Sequence, residues 1–361
     1  MKILVILPNW LGDALMATPA IEALSQNYPE AEFTFVGSYA SIEALKAHPQ
    51  CTQTYVDETK KQGNRFLNTY HLAKQIAQHD MGVSFRNHLF STLLLYWTST
   101  PLTSARSSFF SKLFLKHAIK PSHPSHLVEQ YGAIAQPLLN KPIHLGSLSL
   151  HLPKHQFDKP ILGINPGATY GSAKRWYPQK FAQVARALSE QFHVVIFGGP
   201  GEIEIANDIA KELEGISYTN LAGKTSIQEL CSTIGGLSLF ITNDSGPMHV
   251  AAAYQIPTVS IFGPTKHEET CQWNNPKSII VRHPMECAPC MKRECPLGHH
   301  ECMKGISAEE VIEAAKKLSD HHMEEIEWGM KNALDSAKSA AKNDLTKLKN
   351  LQEEAAKEAA K

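Results

Sequence analysis

Apolar residues in this chain fall into short unbroken runs separated by turns rich in Gly, Pro and Asn. Residues 2–7 form the first run, and 32–36, 81–85, 160–165, 193–197, 237–242 and 257–261 repeat the pattern. Runs of this length suit parallel strands buried on both faces. Between them, residues 14–27, 39–47, 177–191, 203–213, 227–233 and 248–254 read as helices. This strand-helix alternation predicts an α/β fold of two Rossmann-like, doubly wound domains. Residues 137–159 are rich in Pro, His and Leu without periodicity, which places the boundary there and gives domains at 1–150 and 151–318. Near the end of the second domain, Ser307 and Glu310 form a capping box that opens a helix. Beyond it, Ala, Lys and Glu dominate, and Leu345, Leu348 and Leu351 give only a thin apolar stripe, so 319–361 is predicted to be a charged helical extension.

Composition narrows the function classes. The chain has 361 residues, 43% of them hydrophobic and 19% charged, which is a globular balance long enough for two cores. With 35 basic against 35 acidic residues there is no overall pull toward nucleic acid, and no nucleic-acid partner is expected. The apolar start is too short for a signal sequence, and no later run reaches the length of a membrane span, so a cytoplasmic location is expected. One local exception stands out. From Met81 to Val128 there is no Asp or Glu, while Arg86, Arg106, Lys112, Lys116 and Lys120 are interleaved with aromatic runs. That pattern suits an anionic lipid surface or a phosphorylated amphiphile, or else an ordinary core with solvated cations.

Three turns carry candidate chemistry. Residues 242–253 (TNDSGPMHVAAA) leave a strand through small residues and enter a helix at Pro247, so free amides and the helix dipole favour a phosphate beside Asp244, Ser245 and His249. The alternative is a plain capped junction. Residues 166–176 (PGATYGSAKRW) form a loop that lets the backbone approach a phosphate while Lys174 and Arg175 offset its charge. After the first strand, Asp13 stands at the mouth of a helix, as a cap or as a catalytic carboxylate. No Gly-x-Gly-x-x-Gly follows that strand, which argues against a dinucleotide site. Finally, Cys287, Cys290, Cys295 and Cys302 lie within sixteen residues; they can wrap a tetrahedral metal, with His299 or His300 as a substitute, or form a disulfide-capable or simply packed thiol loop.

Taken in order, residues 8–13 (PNWLGD), 165–168 (NPGA), 173–176 (AKRW), 242–253 and 295–300 (CPLGHH) resemble the ADP-heptose:lipopolysaccharide heptosyltransferases over about residues 1–318. The resemblance implies a GT-B glycosyltransferase with an acceptor half and a donor half facing a cleft. It implies inverting transfer of L-glycero-D-manno-heptose from ADP-heptose onto the first heptose of heptosyl-Kdo2-lipid A. The alternatives are transfer to Kdo itself and, on the same architecture, a sugar-nucleotide epimerase. In this family the Asp matching Asp13 is the expected general base. Lys174 matches the lysine on the donor phosphates, and Asp244, Ser245, Gly246 and His249 match residues that hold heptose and diphosphate. With the neighbouring Thr169, Arg175 and Asn243 these make the candidate donor-binding set, and Arg86, Arg106 and Lys112 are candidates for the phosphorylated acceptor. No cofactor is expected beyond the donor, and peripheral contact with the inner face of the inner membrane is expected.

Overall fold

The computed structural model describes residues 1–61 and 63–320. Met1–Ala315 is one compact unit; of the second, Lys316–Lys361, only 316–320 are described, so nearly all of the expected 319–361 extension lies outside the described residues.

Two six-stranded parallel sheets build the first unit. The first comprises β1 (Lys2–Ile6), β2 (Glu32–Gly37), β3 (Cys51–Val56), β4 (Met81–Ser84), β5 (Leu102–Arg106) and β6 (His117–Ile119), in the order β3-β2-β1-β4-β5-β6. The second comprises β7 (Ile161–Asn165), β8 (His193–Ile196), β9 (Tyr218–Asn220), β10 (Leu239–Asn243), β11 (Thr258–Ile261) and β12 (Ser278–Val281), in the order β12-β11-β10-β7-β8-β9. Read from β9, the second sheet repeats the order of the first. Each sheet therefore has its switch point between its first and fourth strands, β1/β4 and β7/β10. The crevice beyond the carboxyl ends at such a point is where open α/β sheets bind ligands.

The central strands are apolar because they are covered on both faces. Ile3, Leu4, Val5 and Ile6 of β1 are fully buried, each contributing about 1.5–3 kcal/mol relative to exposure. β3 is the exception: CTQTYV is largely solvent-facing at a sheet edge, so no continuous apolar run announces it. β6 is only three residues long, and it went unpredicted along with β5 and the Arg65–Ile76 helix.

The first helix also departs from expectation. In place of one helix over 14–27 there are two, Leu11–Met16 and Thr18–Asn27, divided at Ala17. Pro19 lacks the N–H that would bond to the Leu15 carbonyl, and its ring crowds the preceding turn. The Thr18 hydroxyl donates to that carbonyl at 2.7 Å instead. The break leaves the Leu11–Met16 helix as a separate short element at the end of β1.

Among the described residues, three side chains bridge the halves of this unit by donating to main-chain carbonyls. His126 Nε2 lies 2.9 Å from the Cys271 oxygen, Gln228 Nε2 donates to the Glu43 oxygen at 3.4 Å, and Trp273 Nε1 donates to the Gly146 oxygen at 2.9 Å. Closest of all is the approach of the Leu11–Met16 helix to the Gly246–Ala253 helix. A Cβ on Gly12 would fall 2.8 Å from Cδ2 of His249 and 3.2 Å from the Gly246 Cα. Only a glycine permits that approach. The expected Ser307 capping box is present: Ser307 N–H donates to Glu310 Oε2 at 2.8 Å and Glu310 N–H to Ser307 Oγ at 3.2 Å.

Candidate active site

The crevice between β1/β4 and β7/β10 gathers most of the candidate residues. Asp13 follows β1 on the Leu11–Met16 helix, where the N-cap is Trp10, so the capping position is not Asp13's. Burial pushes its carboxyl up to about 6; the Lys174 charge opposes that shift and Asp244 adds to it. A carboxylate with this pKa is ionised at neutral pH yet accepts a proton more readily than an ordinary one.

Opposite it, Asp244 closes the end of β10. Its Oδ2 is 2.6 Å from Lys174 Nζ and accepts from the Thr265 hydroxyl at 2.6 Å. Lys174 ends the short Ser172–Lys174 turn and lies 4.9 Å above the Tyr170 ring. Asn243 locks the two turns together, donating to the Pro166 carbonyl at 2.7 Å and accepting from Trp176 N–H at 3.1 Å. In the same way Asn165, at the end of β7, donates to Ser245 Oγ at 3.0 Å. Ser245 is the N-cap of the Gly246–Ala253 helix but makes no side-chain capping bond, and Pro247 has no N–H to offer. Thr169 is exposed at the rim of the same loop.

Two buried polar atoms at this crevice have no partner: Arg175 Nε and His249 Nδ1. Such orphans are rare in folded proteins and call for a ligand or an ordered water. Burial lowers His249 to about 4; Asp244 opposes this, and the His126 and Lys174 charges reinforce it. The ring is therefore neutral at pH 7, against the edge of Gly12.

The three acceptor candidates fall in different settings. Arg106 pairs with Gln130 and lies within electrostatic reach of buried Tyr131, whose hydroxyl is held protonated by burial and by the Asp13 charge. Arg86 is buried after β4, donating from Nε to the Leu7 carbonyl at 2.6 Å and pairing with Asp57. Lys112 is exposed on the Phe109–Phe114 helix beside Phe109, 75% exposed, and Leu113, 65% exposed. The aromatic runs thus divide, because Leu93, Leu94 and Leu95 are core.

Sequence reasoning missed Thr265, Arg65 and His88. Arg86 Nη2, His88 Nε2 and both Nε and Nη2 of Arg65 are buried without a hydrogen-bond partner. His88 is lowered to about 4 by burial and then by Arg86, Arg65 and Lys60, so these groups form one electropositive cluster around Asp57. Burial works against the Asp57 charge, but the Thr59 hydroxyl and Arg86 hold it below the usual carboxylate range.

The four cysteines line one cavity together with His299 and His300. All are free thiols; burial and then the neighbouring Cys287, Cys290 and Cys295 push Cys302 up to about 11. Among the described residues their sulfurs do not form a set of three ligand atoms within 4.8 Å of one another. Their loop instead buttresses the Lys174 loop. Arg293 carbonyl accepts from Ala173 N–H at 3.0 Å, and a Cβ on Gly171 would lie 2.2 Å from the same oxygen.

The chain is similar to known glycosyltransferases. Residues 69–301 match the model of glycosyltransferase family 9 (heptosyltransferase). Lipooligosaccharide heptosyltransferase 2 of Campylobacter jejuni serotype O:6 is 38% identical over 330 residues, covering 88% of this chain and 99% of that protein. The structure of Escherichia coli ADP-heptose LPS heptosyltransferase II superposes with a TM-score of 0.75 at 24% identity, covering 90% of this chain and 100% of that one. A family 9 glycosyltransferase from Veillonella parvula gives 0.77 at 23% identity, covering 89% and 97%.

Proposed function

Because the chain belongs to glycosyltransferase family 9, the heptosyltransferase family, we propose that it transfers heptose from ADP-heptose onto the first heptose of the lipopolysaccharide inner core. The observation that carries the site assignment is the convergence of Asp13, Lys174, Asp244 and His249 at the paired switch points.

Asp13 serves as the general base. As the acceptor hydroxyl oxygen bonds to the anomeric carbon, its proton passes to the Asp13 carboxylate and the bond from that carbon to the diphosphate oxygen breaks. ADP leaves with the electron pair. Lys174, Arg175 and the amides opening the Gly246–Ala253 helix stabilise the charge that grows on the leaving diphosphate. The orphaned Arg175 Nε and His249 Nδ1 supply further contacts to the donor, with Thr169 at the rim, and Asn243 and Ser245 set the geometry of the turn.

Arg86, with Arg65 and His88, offers unpartnered donors to an anionic group of the acceptor core, and Arg106, like Asp13, lies within electrostatic reach of Tyr131. Lys112 with the exposed Phe109 and Leu113 suits the inner-membrane surface on which the lipid acceptor resides, reached from the cytoplasmic side. Among the described residues no helix is long and apolar enough to cross a membrane.

The test is ADP release and product mass with ADP-heptose plus heptosyl-Kdo2-lipid A, Kdo2-lipid A, or no acceptor. Turnover with the first supports the assignment. Preference for the second makes Kdo the acceptor, and acceptor-independent conversion of the donor overturns glycosyl transfer.

A further inference from the structure

On the first sheet's side of the molecule, Glu22, His48 and His151 bring one ligand atom each within 4.8 Å of one another. Glu22 lies on the Thr18–Asn27 helix, His48 in the turn before β3, and His151 in the irregular segment that leads to β7. We propose that these three residues form a binding site for a divalent transition-metal cation of the zinc class, which pins the segment joining the two sheets onto the first.

The spacing fits. Zinc bonds of about 2.0–2.1 Å at tetrahedral angles put neighbouring ligand atoms about 3.4 Å apart. Glu22 Oε1 is 3.6 Å from His48 Nε2 and 2.9 Å from His151 Nε2, on either side of that value. Two imidazoles and a carboxylate are ligands suited to zinc, cobalt or nickel.

The ligands are also held in place. The His48 ring stacks on Phe33 at 5.3 Å and meets the edge of His151 at 4.9 Å. Ser149 Oγ donates to Glu22 Oε1 at 2.8 Å, and Ser149 N–H donates to Thr18 Oγ1 at 3.0 Å, which orients the carboxylate as outer partners do in metal sites. His48 Nε2 is buried without a hydrogen-bond partner, and the Glu22 carboxylate 3.6 Å away is its charged neighbour. Coordination moves the His48 ring proton to Nδ1, giving up the 3.2 Å bond from Gln50 N–H, and replaces the 2.9 Å hydrogen bond between His151 Nε2 and Glu22 Oε1. Because the ion would join residues 22, 48 and 151, its binding energy would appear as stability of the folded chain.

Cobalt titration of the chelator-stripped, full-length chain tests this. One equivalent of Co2+ should give visible ligand-field bands without a thiolate charge-transfer band, and should raise the Tm. H151A and E22Q should each weaken binding by more than the tenfold to about hundredfold that loss of an outer partner costs. The His151 side chain is 34% exposed, so H151A leaves the fold intact and its unliganded Tm verifies that. Unchanged cobalt affinity in both variants would overturn the proposal. So would a thiolate charge-transfer band, which would put the metal at the cysteine loop, or the absence of binding at millimolar Co2+.

Discussion

Lys174 Nζ rests 2.6 Å from the Asp244 carboxylate and 3.3 Å from the same residue's carbonyl oxygen. The cation of one proposed phosphate-binding turn is thus neutralised by the acid of the other. A diphosphate must take the lysine over, and Thr265 remains to hold Asp244 when it does. K174A is expected to weaken ADP binding by about tenfold to hundredfold, the worth of one charge-assisted hydrogen bond. Calorimetry with ADP checks this; an unchanged Kd would mean that the lysine stays with Asp244 throughout.

As the proposed general base, Asp13 should govern the acid limb of the rate profile. A base must be ionised, so kcat/KM should fall as pH drops below about 6. D13N should lower kcat by about a hundredfold to ten-thousandfold, abolish that limb, and leave ADP affinity nearly unchanged. Stability should move the other way. The folded state binds this proton more tightly than the unfolded chain, so the stabilisation it gives is complete below the unfolded value of 3.8 and lost as pH rises through about 6. D13N should therefore raise the Tm at pH 8 relative to the native chain, with the gain shrinking toward pH 4.

His249 should remain a neutral imidazole from pH 5 to 8, because burial lowers it to about 4. Nitrogen-15 NMR of the labelled chain reads this directly. An imidazolium signal for His249 at pH 6.5 would contradict the buried setting and make the residue a candidate proton carrier.

Gly12 has no room for a methyl group. In G12A the new carbon would meet the His249 ring and the Gly246 backbone, so the Leu11–Met16 helix must shift, carrying Asp13 with it. Displacements near one ångström cost on the order of a hundredfold in rate. The expected result is a large fall in kcat with a much smaller fall in Tm; equal native kinetics would show that the two helices separate during turnover.

The exposed face of the Phe109–Phe114 helix should carry membrane affinity. F109D/L113D is expected to reduce sedimentation with anionic phospholipid vesicles while sparing ADP binding, and K112E should steepen that loss at low salt. Equal vesicle binding by native and variant chains would remove this surface from consideration.

Much of this site can be read from the chain because its parts are local. The turns after β1, β7 and β10 each announce themselves as an apolar run followed by small residues, and Asp13, Lys174 and Asp244 sit within those turns or on the helix that follows. What could not be read depends on contacts distant in sequence. Arg86 looks like a free cation until Asp57 and the Leu7 carbonyl are beside it. His249 looks like a polar residue on a helix until Gly12 closes over it, and Thr265 gives no signal without Asp244. β3 escapes notice because an edge strand need not be apolar, and the break at Ala17 needed only that Pro19 be given its due weight.

The three bonds that tie one sheet to the other end on the main-chain oxygens of Cys271, Glu43 and Gly146. Every residue type supplies that oxygen, so tolerance to substitution should be one-sided. Side-chain changes at the receiving positions leave the acceptor in place, whereas changes at His126, Gln228 or Trp273 remove the donor outright. For these three bonds, drift is constrained from the donor positions, just as Gly12 constrains the helix contact.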